Sequence, residues 1–551
     1  MNLNKLLTAL RQRTNAPAHN QQVERSKRYT HALEQFLDGQ PAVRLGGAYT
    51  LANLADEWLT DASLPEQGRR EEAQTIIDAL TECIRTPYPL AQKRQVLESD
   101  EAPEWYEGNF TRDQEALREE QLVRRTVFME FSRRLAAAES NKEGNEESQH
   151  TVSPSSPMWA DLRFDFGGAP IFYPLRQLHF QNADFASATF YGPADFFGAT
   201  FHGDTSFSAA QFTADASFHG ANFNDWVGFS AAHFAGAAEF GEARFADAAS
   251  FATVTFTGEA DFSDVVFSAA ADFGVASFEA DADFSRLNTA GIASFAAVTF
   301  GGEAIFAAST FHDEAHFAAS VFNRPAVFSK SLFGGAARFA GIATKQTAIF
   351  CNVRFAGAAD FSGATFTQYA DFSGARFDGD AMFSRSSFFA VIRTSYDMDF
   401  PQYANFANAA FAQGADFSEA TFTAFVGFGR ATFAGAVSFN GANFAGAYFA
   451  GAYFADAKFS QKADFRQTRF AYAEPSFWDS EGQQKSARFS AQANPQDYLF
   501  EVRPESPHGF SCGEAQLLNR TFVLPVGAVL YDPDSWDEEK QEYTRVSEPA
   551  Q

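Results

Sequence analysis

Phenylalanine follows a strict period along the middle of the chain. Between Phe190 and Phe383 the phenylalanines recur at alternating steps of six and five residues, which gives a period of eleven. Two interleaved series, starting at Phe190 and Phe196, define 36 positions up to residue 383, and all of these except Thr289 and Thr344 are phenylalanine. Self-similarity at a fixed period indicates a repeat architecture.

The residues between the phenylalanines favour short strands over helices. A small residue, usually alanine, stands two positions before most phenylalanines, as Ala260 does before Phe262, which puts both side chains on one face of an extended segment. Gly, Ser, Thr, Asp and Asn fill the intervening positions and favour bends. A right-handed helical supercoil also has an eleven-residue period, but it needs apolar pairs three or four residues apart. The pattern therefore predicts a solenoid of about 13 coils, each with four strands.

Three short segments carry a resemblance to a known family. Residues 370–374, with the sequence ADFSG, and residues 463–465, with the sequence ADF, resemble the motif of the pentapeptide repeat family, in which alanine precedes Asp or Asn and then Leu or Phe. Residues 439–459 resemble it most closely, because their phenylalanines are five residues apart. The resemblance implies a mainly β fold, a right-handed quadrilateral β-helix, over residues 161–478. At its interior, Thr289 and Thr344 are expected to bond their hydroxyls to the backbone.

The N-terminal part follows a different pattern. Apolar residues recur every three or four positions in residues 23–37, 43–59, 70–88 and 114–138, which predicts four amphipathic helices. Thr111, three residues before Gln114, indicates a capping box for the last helix. We expect residues 20–138 to form a helical bundle or helical-repeat module. Residues 43–51 and 76–88 resemble the helical region that precedes the repeats in a group of bacterial pentapeptide repeat proteins.

Three further segments complete the organisation. Residues 139–160 have few apolar side chains and are predicted to be a flexible linker. Residues 479–551 are predicted to form a C-terminal cap and acidic tail, because the open end of a solenoid exposes unpaired backbone groups. Between Phe388 and Phe400 the step is twelve residues and the alanine rule is lost, which predicts an outward bulge. The bulge is interpreted either as a neutral insertion or as a partner-contact loop carrying Arg393, Tyr396 and Met398.

Charge and composition narrow the function classes. The 551-residue chain has 42 Lys and Arg against 69 Asp and Glu, a formal net charge of −27, which disfavours direct binding to nucleic acid or anionic lipid and favours basic partners. Three cysteines without a CxxC pair argue against a disulfide framework or a zinc site. Since no apolar run reaches the eighteen or so residues of a membrane span and residues 1–20 carry no apolar signal region, we expect a cytoplasmic protein.

No motif predicts catalysis. The sequence has no phosphate-binding glycine loop, no HExxH and no GxSxG, and the histidines of the repeat zone are scattered over different coils. His312 and His316 are four residues apart, which does not place them on one face of a coil of strands and bends. We therefore expect a protein that is not an enzyme, with no cofactor, no metal site and no catalytic residues.

Acidic residues are concentrated at the start of the repeats. Residues 181–283 have a net charge of −14, whereas residues 284–478 are neutral overall. We interpret the protein as a non-enzymatic scaffold that presents a rigid, partly acidic surface to a protein partner of unknown identity. Two alternatives remain open: a solvated surface that prevents sticking, and a DNA-mimicking inhibitor or protector of a type II topoisomerase through residues 181–283, as some pentapeptide repeat proteins are. The candidate partner contacts in this acidic band are Glu239, Glu242, Asp247, Glu259, Asp261 and Asp264.

Overall fold

The computed structural model describes residues 20–136, 158–389, 404–423, 425–445, 452–479 and 485–551. They belong to two compact units that divide between Val227 and Gly228. The first unit holds the helices and the first strands, and the second holds the remaining coils and the C-terminal segment. These elements confirm the predicted fold class. The chain forms a parallel β-solenoid of about 13 turns, with a smaller helical N-terminal region.

Two predicted segments lie mainly outside the described residues. Positions 390–403 include Arg393, Tyr396 and Met398 of the predicted bulge, and positions 139–157 make up most of the predicted linker. The last linker positions, 158–160, are described, and Trp159 is fully buried there.

The described residues of the first unit form five α-helices. They are α1 (Asn20–Phe36), α2 (Pro41–Leu59), α3 (Glu66–Arg85), α4 (Arg94–Leu97) and α5 (Phe110–Leu135), with a 3₁₀ turn at Pro89–Lys93. The four long helices coincide with the predicted ones, since each buries the apolar stripe that its sequence shows. Helix α4 is a single turn and too short to display an apolar period.

The predicted capping box of α5 is wrong. Asn109 is the N-cap, and its side-chain oxygen accepts a hydrogen bond from the Arg112 backbone N–H at 3.1 Å. Thr111 lies inside the first turn, and the Gln114 amide donates to the Leu97 carbonyl at 2.8 Å. Asn is as good an N-cap as Thr, and it stands two residues earlier, so the helix begins there.

Helix α5 covers the first coil of the same unit. The Phe128 ring lies 4.7 Å from that of Phe166, and the Phe131 ring lies 5.0 Å from that of Phe164, measured between centroids. The Ser132 hydroxyl oxygen accepts a hydrogen bond from the His179 backbone N–H. A solenoid end needs such a cover because its last rings and backbone groups are otherwise exposed to water.

Each strand of the first unit is two or three residues long, and the strands pair in parallel with strands one coil away. They are Phe164–Asp165, Pro170–Ile171, His179–Gln181, Ala183–Asp184, Thr189–Phe190, Ala194–Asp195, Thr200–His202, Thr205–Ser206, Gln211–Phe212, Ala216–Ser217 and Asn222–Phe223, followed by Val227–Gly228 at the division between the units.

The coils of the second unit have four faces, named here in chain order. Face 1 has Ala238–Glu239, Ala260–Asp261, Ala282–Asp283, Ala304–Ile305, Ala326–Val327, Ala348–Ile349, Ala370–Asp371, Ala404–Asn405, Val426–Gly427 and Ala452–Tyr453. Face 2 has Arg244–Phe245, Val266–Phe267, Asn288–Thr289, Thr310–Phe311, Leu332–Phe333, Arg354–Phe355, Arg376–Phe377, Ala410–Phe411, Thr432–Phe433, Lys458–Phe459, Arg488–Ser490 and Val529–Tyr531. Face 3 has Ala249–Ser250, Ala271–Asp272, Ala293–Ser294, Ala315–His316, Ala337–Arg338, Ala359–Asp360, Ala381–Met382, Ala415–Asp416, Val437–Ser438, Ala463–Asp464 and Tyr498–Leu499. Face 4 has His233–Phe234, Thr255–Phe256, Ser277–Phe278, Thr299–Phe300, Val321–Phe322, Ala343–Thr344, Thr365–Phe366, Ser387–Phe388, Thr421–Phe422, Asn443–Phe444 and Arg469–Phe470.

Phenylalanine rings fill the interior of these coils. Phe306 shows the arrangement: its ring stacks on those of Phe284 at 4.8 Å and Phe328 at 4.9 Å, within 2° of parallel. It also meets Phe295 and Phe317 edge to face, at 5.1 and 5.2 Å. Each aromatic pair adds about 0.5–1.5 kcal/mol to the burial of the ring. The core therefore consists of parallel ring stacks that interlock at right angles.

The two threonines of the repeat differ from expectation. Thr289 and Thr344 are buried in the interior, but within the described residues neither hydroxyl has a hydrogen-bond partner. The neighbouring backbone groups are already paired between coils, as in the bond from the His312 N–H to the Thr289 carbonyl. The prediction that these hydroxyls bond to the backbone is wrong, and each leaves a buried polar atom unsatisfied.

Aromatic rings also cover the last coil. Phe500 and Phe510 lie against Phe465 and Phe470, at 5.5 and 5.2 Å respectively. A hairpin of Cys512–Leu517 and Arg520–Pro525 and a short antiparallel pair, Trp536–Asp537 with Glu542–Tyr543, complete this region, together with 3₁₀ turns at Pro495–Asp497 and Pro533–Ser535.

Removing one ring tests the stacked core. We expect Phe306→Ala to lower the free energy of unfolding by about 3–5 kcal/mol, because the ring loses its contacts and leaves a cavity. Phe389→Ala is the matched control, since that side chain is 40% exposed and its loss should change stability by about 0.5 kcal/mol or less. Urea unfolding followed by circular dichroism measures both. Equal losses would contradict the assignment of Phe306 to the core.

Removing an unsatisfied hydroxyl should stabilise the coils. Thr289→Val and Thr344→Val keep the side-chain shape and delete a buried group that costs about 1–3 kcal/mol, so each should raise the free energy of unfolding by about 1 kcal/mol. Thr255→Val, on the outward side of face 4, is the control and should have little effect. A loss of stability in the two interior variants would mean that their hydroxyls do have partners.

Candidate functional site

Carboxylates of the predicted acidic band form a column on face 1. The strands that end in Glu239, Asp261 and Asp283 pair in parallel, with these three residues in register. The alanine before each is buried, so the acidic side chain points outward. Neighbouring strands are about 4.8 Å apart, which sets the spacing of the column.

Five more carboxylates flank this column. Glu259, Asp281 and Glu303 directly precede strands of face 1, and their carbonyls accept backbone hydrogen bonds of 2.8–3.0 Å from the preceding coil. Glu242 and Asp264 occupy the tight turn that follows, with φ of 60° and 57°. We call the following eight residues the acidic face: Glu239, Glu242, Glu259, Asp261, Asp264, Asp281, Asp283 and Glu303.

The same coils carry little charge on their other sides. Within residues 238–303 the remaining acidic residues are Asp247, Asp272 and Glu279, and Arg244 lies on face 2. Arg286 occupies the same turn as Asp264, one coil further on, so it lies at the edge of face 1. Of the eleven carboxylates in residues 238–303, eight therefore lie on face 1 or at its two edges. The negative charge is concentrated on one side and is not spread evenly around the coil.

Several of these aspartates also hold the backbone. One side-chain oxygen of Asp261 accepts the Ser263 N–H at 2.8 Å, and one of Asp283 accepts the Ser285 N–H at 2.7 Å. This Asx turn explains why Asp recurs directly before phenylalanine, since the carboxylate satisfies an N–H at the bend. The second oxygen of each remains on the outer surface.

Asp264 is neutralised by a neighbour. The Arg286 guanidinium lies one coil away and donates to the Asp264 carboxylate, with an Nε to Oδ1 distance of 2.7 Å. This hydrogen bond lowers the pKa of Asp264 and keeps the carboxylate ionised. The Asp264 edge of the acidic face is therefore less available to a partner.

Three glutamates stay unengaged. Glu239, Glu242 and Glu259 are exposed, and in the part of the chain that the structure describes their side chains have no hydrogen bond or ion pair. Like charges held near each other on adjacent strands repel, and an incoming cation relieves that repulsion. These three carboxylates are the best placed to contact a basic group.

An apolar surface adjoins the acidic face. In the same register column, Asp283 is followed in the next three coils by Ile305, Val327 and Ile349. These side chains point outward and are half-buried. We call Ile305, Val327 and Ile349 the aliphatic stripe. Together the two surfaces give the first six strands of face 1 in this unit three acidic and three aliphatic outward positions.

The structure brings together five of the six predicted band residues. Asp247 lies instead at the corner between faces 2 and 3, where its carboxylate accepts the Ala248 N–H. The predicted band included Asp281 and Asp283, but the candidate contacts did not include them, Glu303 or the aliphatic stripe. One coil is 22 residues long, so residues 22 positions apart lie in the same column. Comparing the residues that precede every fourth phenylalanine would therefore have identified the column of Glu239, Asp261 and Asp283.

In the described ranges, no group of three or more His, Cys, Asp or Glu residues is arranged to hold a metal ion. His316 pairs with Glu314 at 2.9 Å, and the three cysteines are free thiols. Among the helices that the structure describes, none is long and apolar enough to span a membrane.

Comparison with known proteins supports the repeat assignment. One family model, described as pentapeptide repeats (9 copies), matches residues 185–233 and 345–387. A second, described as pentapeptide repeats (8 copies), matches residues 430–470. The searches of curated proteins and of solved structures give no match.

Repulsion within the acidic face predicts a salt-dependent stability. The triple variant Glu239→Gln/Glu242→Gln/Glu259→Gln should have a higher thermal unfolding midpoint than the unaltered protein at low salt. The difference should shrink near about 1 M salt, where the Debye length is about 3 Å. The off-face control, Asp247→Asn/Asp272→Asn/Glu279→Gln, removes the same charge from the same coils and should shift the midpoint less. Equal shifts would contradict the concentration of repulsion on face 1.

Proposed function

The chain belongs to the pentapeptide repeat family, and from its face 1 we propose that it is a non-enzymatic scaffold that binds a basic, amphipathic segment of another protein. The observation that carries the proposal is the grouping of eight carboxylates on one side of the coils, next to an apolar stripe. Fold alone does not decide function, so the proposal rests on the residues of this surface.

A regular backbone supports binding by this surface. The strands of face 1 are joined to the next coil by backbone hydrogen bonds such as Phe284 N–H to the Ile305 carbonyl, at 2.6 Å. The outward side chains therefore keep their spacing without a partner. Binding to a preorganised surface loses less conformational entropy than binding to a flexible one.

The acidic and aliphatic positions of face 1 suggest the chemistry of the partner. From Glu239 to Ile349 there are six strands of this face, or five intervals of about 4.8 Å, which is about 24 Å. A helix of about 16 residues has the same length. A segment with Lys or Arg near one end and Leu or Ile near the other would pair its charges with the glutamates and cover the aliphatic stripe.

A second candidate is mimicry of DNA toward a type II topoisomerase. It is favoured by the density of charge, because duplex DNA carries about one charge per 1.7 Å and the acidic face has eight carboxylates over three or four strands. A helical turn of DNA is about 34 Å long, however, and the acidic face spans less than half of that. The aliphatic stripe also has no counterpart in a phosphate backbone, so we favour the basic protein segment.

The proposal also covers the cellular compartment and the class of binding partner. We place the protein in the cytoplasm, where free thiols such as those of Cys83, Cys351 and Cys512 persist. The formal charge of −27 supports a protein partner over direct contact with nucleic acid. No cofactor enters the proposed role.

Binding of a defined peptide tests the proposal. The probe is a labelled 16-residue helical peptide with its lysines in one half and its leucines in the other, titrated into the full chain at low salt and followed by fluorescence anisotropy. Because exposed ion pairs contribute about 0.2–1 kcal/mol each, the variant Glu239→Gln/Glu242→Gln/Glu259→Gln should bind about fivefold more weakly or worse. Val327→Thr should weaken the binding that persists at high salt.

The off-face variant Asp247→Asn/Asp272→Asn/Glu279→Gln has the same net charge and serves as the control. It should bind as the unaltered protein does. Equal weakening in both triple variants would mean that only overall charge attracts the peptide, and would overturn the assigned site. Inhibition of a type II topoisomerase by the unaltered protein, lost in the acidic-face variant alone, would support the DNA-mimicry alternative.

A further inference from the structure

The helical module contains a cavity that the proposed function does not use. It has a volume of about 310 Å³ and lies among α1, α2, α3 and α5. Leu33 and Phe36 are buried in its apolar wall, whereas Leu37 and Pro87 are exposed and mark the mouth. This volume is at the lower end of the range for small-molecule sites, which are typically apolar with a few polar groups.

A buried charge cluster forms one wall of the cavity. The Glu120 carboxylate accepts a hydrogen bond from Arg124 Nε at 2.6 Å and from Arg44 Nη2 at 3.3 Å, and it also pairs with Arg44 Nη1. Arg124 makes two more hydrogen bonds, to the carbonyls of Ile84 at 2.7 Å and Thr86 at 2.9 Å. Arg124 thus has three hydrogen bonds, two of them to backbone carbonyls, whereas Arg44 has the shared carboxylate and a 3.5 Å contact with Cys83 Sγ.

The cluster has one positive charge in excess. Two guanidinium groups share one carboxylate, and although burial raises the pKa of Glu120, its bonds to Arg44 and Arg124 outweigh burial and lower it overall. Two other carboxylates line the cavity: Asp38 is exposed to water, and Glu82 lies 3.9 Å from Arg85. With them the ionised side chains of the lining sum to −1, so the positive charge is local to Arg44, whose side chain is 18% exposed.

The remaining titratable groups of the wall are neutral. Burial raises the pKa of the Cys83 thiol, and it raises the pKa of Tyr29 and of Tyr88 to about 12. The Tyr29 hydroxyl has no hydrogen-bond partner among the described residues, but its oxygen is fully buried and therefore does not face the cavity.

We propose that this cavity binds a small organic monoanion with a largely apolar body, such as a medium-chain or aryl carboxylate. The carboxylate accepts hydrogen bonds from the free N–H groups of Arg44 and compensates the excess charge of the cluster. The apolar body lies against Leu33 and Phe36. The site lies in the first unit and is independent of face 1.

Three probes with the same apolar tail and different head groups test the proposal. Octanoate, octan-1-ol and octylammonium are titrated into the full chain by isothermal calorimetry. Octanoate should bind with one-to-one stoichiometry and at least about tenfold more tightly than the other two, because only it makes charge-assisted hydrogen bonds with Arg44. No saturable binding of octanoate, equal binding of all three, or preference for octylammonium would overturn the proposal.

Three variants locate the binding. Arg44→Gln should weaken octanoate about tenfold and leave octan-1-ol unchanged. Ala79→Phe fills the cavity and should abolish binding of both. Arg118→Gln, an exposed arginine outside the cavity, is the matched charge control. Thermal unfolding shows that each variant is folded. Unchanged octanoate affinity in folded Arg44→Gln or in folded Ala79→Phe would place the molecule elsewhere and contradict the site.

Discussion

The match between two spacings holds the solenoid together. Parallel strands stack at about 4.8 Å, and the rings of Phe284, Phe306 and Phe328 stack at 4.8 and 4.9 Å. Backbone hydrogen bonds and ring stacking are therefore satisfied in the same step from coil to coil. Because this requires a ring at a fixed place in nearly every step of the coil, the inward positions are restricted, with Thr289 and Thr344 as exceptions, and the outward positions are free to carry recognition.

This constraint explains why the sequence predicted the fold so well. The same inward pair recurs dozens of times, so a single exception such as Thr289 does not obscure the period. Contacts that occur once are different. The packing of Phe128 on Phe166 depends on two segments that meet only in the folded protein, and no local sequence pattern predicts it. The N-cap of α5 was misassigned for a related reason: Asn109 and Thr111 are both suitable caps, and only the backbone geometry distinguishes them.

The two candidate sites were predictable to different degrees. Composition located the acidic band, but the side of the coil follows from the 22-residue register, which separates Asp247 from Asp281 and Asp283. The cavity of the helical module had no signal in the sequence. Arg44 and Glu120 are 76 residues apart, and each alone looks like an ordinary surface charge on an amphipathic helix. Their pairing arises only from the packing of α2 against α5.

Carboxyl-group footprinting tests the central claim, that face 1 is the binding surface, most directly. The full chain would be labelled with a carbodiimide and an amine, with and without the Lys/Leu peptide, and each carboxylate quantified by mass spectrometry. The account predicts that labelling of Glu239, Glu242 and Glu259 falls on binding, while that of Glu279 and Asp247 is unchanged. Protection of Glu279 and Asp247 to the same extent, or protection on other faces alone, would contradict it.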